Sequence, residues 1–109
     1  MKDFKNQNIN ILLGQNAKEN NQLIISCKNS NYIWLHLNSF SSGHILIESE
    51  NVNNELLQYA GKICLFHTKY KNQKNIKCCY TTISNLILTE IEGEVEFRSN
   101  RKVKYIILK

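Results

Sequence analysis

Only one stretch of this chain, residues 53–71, repeats its apolar residues at helical spacing. Leu56, Ala60, Ile63, Cys64 and His67 fall three and four apart, which puts them on one buried stripe. Asn53 or Asn54 stands where such a helix needs a cap. Every other apolar run is short. Residues 9–13 (closed by Gly14), 32–37, 44–49 and 76–81 read as strands. Residues 22–28 are short and apolar without a deciding period and are assigned as a short helix. With 109 residues there is room for one core. The expected fold is α+β: a single domain, residues 1–109, mostly antiparallel sheet with one long helix and a C-terminal hairpin.

Face parity sharpens this. If 32–37 and 44–49 pair across the Ser/Gly-rich break between them, Leu35, Leu37, Ile45 and Ile47 share one face. Trp34, His36, His44 and Leu46 then share the other. The first set is core; the second is a candidate site or the opposite wall of a buried sheet. At the C-terminus, Glu90, Glu92, Glu94 and Glu96 alternate with apolar residues and glycine, and Lys102 and Lys104 follow. A three-residue turn over 99–101 would pair Glu96 with Lys104 and Phe97 with Val103.

Charge is distributed unevenly. The net charge is +5, and between Leu56 and Thr89 there are five lysines (62, 69, 71, 74 and 77) and no acid. Tyr70 and Tyr80 lie among or beside them. Flexible cations near aromatic rings suit phosphates and unstacked bases. For Lys62 and Lys69 the helix dipole offers an equally good reason; Lys71, Lys74 and Lys77 lie at or beyond the expected helix end and favour a functional role. Asparagine is abundant enough that single Asn positions carry little weight.

The chemistry of catalysis is sparse. Cys27, Cys64, Cys78 and Cys79 lack zinc or redox spacing, and adjacent Cys78 and Cys79 would face opposite ways on a strand, so reduced thiols used as small apolar residues are expected. Cys64 and His67 lie one turn apart but on the expected core face. His36 and His44 lack a third metal ligand. There is no phosphate-cradling glycine loop. The reading is a non-enzyme without metal or cofactor. No apolar run is long enough for a membrane helix and no leader precedes the first strand, so a cytoplasmic setting without a membrane partner is expected.

The order of several short marks resembles the RNA-binding domain of the NFACT proteins, ribosome-quality-control factors. The marks are Gly14 with Asn16, Glu19-Asn20, Trp34-Leu35-His36, Ser42-Gly43-His44, Thr68-Lys69 with Lys71-Asn72, and Tyr80-Thr81, running from about residue 9 to the end. The sequence departs at Gln15, Asn21, Lys71 and Cys79, where that pattern has arginine, aspartate, arginine and an acid. These departures look more like a divergent prokaryotic branch that works beside tRNA-thiolating enzymes. The resemblance implies an RNA partner, tRNA or ribosomal RNA, with a tRNA-thiolating enzyme or the ribosome nearby. Together with the basic stretch it points to Lys69, Lys71, Asn72, Lys74, Lys77, Tyr80, Trp34, His36, His44 and Asn16 as the RNA-binding set. The alternative is a protein-docking module using the acidic C-terminal segment or the Trp34 face.

Overall fold

A computed structural model describes all residues, 1–109. Strand β1 (Lys2–Asn6) turns into β2 (Ile9–Leu13) through Gln7 and Asn8, at φ 53° and 61°. That left-handed pair is what a tight two-residue hairpin requires. The sequence offered little sign of β1, because its residues are mostly polar and its outer edge is open. Helix α1 (Ala17–Ile25) is capped by Asn16, whose side chain accepts from Glu19 N, while Glu19 reaches back to Gln15 N at 3.0 Å. This cap starts the helix five residues before the expected 22–28, and it ends before Ser26.

Strands β3 (Ile33–Leu37) and β4 (Ile45–Ile47) pair antiparallel with Trp34 opposite Leu46 and Leu35 opposite Ile45, so the expected parity holds. With β5 (Lys77–Thr82) and β8 (Lys104–Ile107) they form a six-stranded antiparallel sheet in the order β1-β2-β4-β3-β5-β8. The ends of β2 and β4 nearly touch. Gly14 N donates to His44 O at 2.9 Å, and a Cβ on Gly43 would lie 2.0 Å from Gly14 O. A side chain at Gly43 would therefore force the strand ends apart.

Helix α2 (Asn54–Phe66) lies across one face, capped by Asn53 accepting from Leu56 N at 2.8 Å. It ends well before the expected residue 71, because side chains take over its last carbonyls. His67 Nδ1 lies 2.8 Å from Ile63 O, and Thr68 donates to Leu65 O through both N and Oγ1. His67 is consequently exposed instead of sitting in the core, with its ring edge against Phe4 at 5.9 Å. The tail of the expected helix is a turn held down by Tyr70 packing on Phe40, 4.6 Å between centroids.

The C-terminal pairing differs from expectation. Strand β7 (Val95–Phe97) pairs with β6 (Leu86–Leu88), setting Phe97 against Leu86 and Glu96 against Ile87, while β8 pairs with β5. Glu96 and Lys104 are not partners. Asn85 causes the divergence: its Oδ1 accepts from Ser99 N, its Nδ2 donates to Thr81 Oγ1 and Ser99 O, and its O accepts from Arg98 N. A 3-10 turn at Asn100–Lys102 then sends the chain to the main sheet, where it covers what would be the open edge of β5. The β6–β7 hairpin and α1 cover the sheet face opposite α2. Their core includes Leu23, Ile24, Trp34, Leu46, Cys79, Ile83, Leu86 and Val103. Cys78 and Cys79 do face opposite ways, into different cores, and all four cysteines are free. No helix is long and apolar enough to cross a membrane.

Candidate nucleic-acid interface

The covered face changes the standing of the Trp34 group. Trp34 is 2% exposed and His44 4%, so they form a wall of the second core and not an open binding surface; His36 is half-buried. The burial comes from α1, the element just before β3, and from the β6–β7 hairpin, which lies far from β3 in sequence. The rings do cluster. His36 stacks on Trp34 at 5.7 Å and 4°, and His44 meets both edge-on, at 5.3 Å from Trp34 and 5.0 Å from His36. Phe97 closes against Trp34 at 5.8 Å. His44 N donates to the buried Oδ1 of Asn20, which holds β4 to α1. Asn21, next along, accepts from Gly93 N at 2.9 Å and so fastens the segment leading into β7 onto α1; a carboxylate oxygen there would accept the same bond.

A pocket of about 620 Å³ opens where these parts meet the loop after β3. Its walls include His36, His44, Trp34, Phe97, Asn20 and Ser42. Burial lowers the pKa of both histidines, His44 to about 3 with help from His36, so both rings are neutral at physiological pH. Trp34 Nε1 and His44 Nδ1 are buried without a hydrogen-bond partner. The thiols are held protonated: burial pushes Cys64 up to about 11 and Cys78 up to about 12. No three His, Cys, Asp or Glu side chains are grouped for a metal.

Next to this pocket lies a depression of about 440 Å³ lined by Asn16, Lys69, Tyr70, His67 and Thr68. The two share Asn20, Ser41 and Ser42. A third, of about 360 Å³, is lined by Lys62, Lys71, Lys74 and Lys109 around Phe66, whose ring is 63% exposed. Neither cationic depression has an Asp or Glu side chain in its wall. The last turn of α2 carries no basic residue, so the helix dipole does not account for Lys69, Lys71 or Lys74.

The other expected site residues are dispersed. Lys77 lines neither depression; its Nζ sits over the Tyr105 ring at 5.3 Å. Tyr80 pairs with Leu35 on the α2 face, opposite to Trp34, because strand parity separates them. Asn72 is exposed in the turn after α2. Asn16 reaches the Lys69 depression while its Oδ1 caps α1. Phe66, Phe97 and Lys109 were not among the expected residues. Phe66 had a signal, a large apolar residue off the helix's buried stripe beside lysines; the roles of Phe97 and Lys109 follow from tertiary packing alone.

The family model described as the NFACT protein RNA binding domain matches residues 2–99. The Rqc2 homolog RqcH of Bacillus subtilis is 26% identical over 78 residues, covering 72% of this chain and 14% of that protein. Among solved structures, the C-terminal part of the fibronectin/fibrinogen-binding protein from Streptococcus suis superposes with a TM-score of 0.80 at 17% identity, over 92% of this chain and 40% of that one. The chain thus spans less than half the length of these relatives.

Proposed function

The chain belongs to the NFACT RNA-binding domain family, and from that premise we propose that it is a non-catalytic RNA-binding module gripping tRNA or ribosomal RNA through the lysines around the end of α2. One observation carries this reading. Lys62, Lys69, Lys71, Lys74 and Lys109 line two depressions whose walls hold no Asp or Glu side chain. Phosphates enter such a surface without meeting repulsion, and each one neutralised releases condensed counterions. Exposed Phe66 and half-buried Tyr70 give unstacked bases a flat neighbour. The absence of catalysis is part of the proposal, supported by the protonated thiols and neutral histidines described above. So is a cytoplasmic setting, where these RNAs are met.

The similarity to RqcH favours ribosome-associated quality control as the setting. The divergent motifs instead suit a partner enzyme that thiolates tRNA. The test is binding of fluorescent tRNA and of ribosomal RNA fragments across a salt series. Wild-type chain binds at least one with a steep salt dependence; a preference for ribosomal RNA supports quality control, and a preference for tRNA supports the thiolation setting. Replacing Lys62, Lys69, Lys71 and Lys74 by alanine flattens the slope of log affinity against log salt by roughly 2–3 units, at roughly 0.7 per single-stranded phosphate contact. Stability changes little, because exposed lysines contribute little to folding. An unchanged slope places RNA binding elsewhere. No binding at low salt replaces RNA with a protein-docking partner.

A further inference from the structure

We propose that the pocket walled by His36, His44, Trp34 and Phe97 holds one unstacked nucleobase, whose phosphate lies across the Asn20–Ser41–Ser42 ridge at Lys69. This rests on the RNA-binding reading and names what the cationic surface alone does not, a site for a base.

The ligand class follows by elimination. The pocket contains no cation, its histidines are neutral, and Glu94 stands in its wall, so a phosphate or carboxylate is repelled there. A metal lacks the ligands. The rings of Trp34, His36 and Phe97 offer flat faces, and a purely apolar ligand would offer no hydrogen-bond partner to the side chains of Asn38, Ser39, Ser41 and Ser42 in the wall. A planar heterocycle satisfies both demands: its face stacks and its edge offers donors and acceptors. Base–aromatic stacking of this kind is tolerant of which base is bound. His36 and Phe97 are the half-buried rings and receive the base first, while Trp34 and His44 form the floor. A volume of about 620 Å³ admits a nucleoside.

The neighbouring depression supplies the rest of a nucleotide. It shares three wall residues with the pocket and adds Lys69 and Asn16. An aromatic cleft without a cation, joined to one that carries Lys69, matches the two ends of a nucleotide.

Trp34 is the single tryptophan, so its fluorescence reports the pocket directly. Adenosine, guanosine, cytidine and uridine are titrated into the chain, and RNA of the sequence bound best is scanned with single abasic positions. Saturable quenching by at least one nucleoside is expected. One abasic position should abolish the quench and weaken RNA binding about tenfold while the salt slope stays the same. His36→Ala should remove the quench and weaken binding by a similar factor, with a melting transition confirming that it folds; His36→Phe should restore the affinity. Lys69→Ala should weaken RNA binding and flatten the salt slope while nucleosides still quench. The proposal is overturned if no nucleoside quenches up to its solubility limit, or if RNA binds with full salt dependence and no abasic position matters. Nucleoside quenching without RNA binding would keep the pocket and remove the RNA reading.

Discussion

The two faces of the sheet are built on different principles. Beneath α2, sixteen buried residues, apart from two cysteines all carbon-rich, form one core whose inward side chains come from β2, β3, β4, β5 and the helix, with Ile76 and Leu108 from just outside β5 and β8. Opposite, an eight-residue core gives way at one end to His44, Asn20 and the indole nitrogen of Trp34, with unpartnered polar atoms among them. Burying polar groups without full pairing weakens a fold. The α2 face therefore carries stability, and the α1 face keeps a polar cleft that pure packing would have filled.

Truncation in each face separates these roles. Leu35, fully buried beneath α2, should lose about 2–5 kcal/mol on Leu35→Ala, read from urea denaturation, with nucleoside quenching intact in the folded fraction. A loss below 1 kcal/mol would mean that the α2 face is not the main source of stability. Asn20→Ala acts on the other face, leaving His44 N without its acceptor; it should lose about 1–3 kcal/mol and also disturb the pocket shared with Lys69. A stability loss with unaltered quenching would show that Asn20 only fastens β4 to α1.

Acid tests the same contrast without mutation. Both imidazoles, His44 buried and His36 half-buried, are held neutral with folded pKa values below the ordinary one. As pH falls through about 6.5 the unfolded chain takes up these protons first, so stability present above that pH is lost progressively toward pH 3. His44 alone should remove about 2 kcal/mol between pH 7 and 5. The urea midpoint at the two pH values measures this; an unchanged midpoint would mean the histidines are freely solvated. The smallest effect is expected at the thiols. Cys78→Ala should leave RNA affinity within about twofold, since its thiol is held protonated in the α2 core. A loss above about tenfold, roughly 1.4 kcal/mol, would point to thiol chemistry instead.

Alternation and spacing were enough to assign the faces of β3 and β4, the start of α2 to within one residue, at Asn53 or Asn54, and the opposed directions of Cys78 and Cys79, because each depends on the local period of the backbone. The charge order of 56–89 was enough to bring Lys62, Lys71 and Lys74 together, but it also took in Lys77, which lies over Tyr105, and it missed Lys109. The pairing of β7 was not legible, because Glu96 fits Lys104 as well as Ile87 by local pattern, and the choice rests on Asn85 binding Ser99 from fourteen residues away. Nor was the burial of Trp34, since it is completed by β6–β7, some fifty residues further along the chain, packing with α1. Residue type and period thus determined which side chains share a face. Only tertiary packing decided what covers that face, because the covering segments gain their burial from contacts that no local pattern encodes.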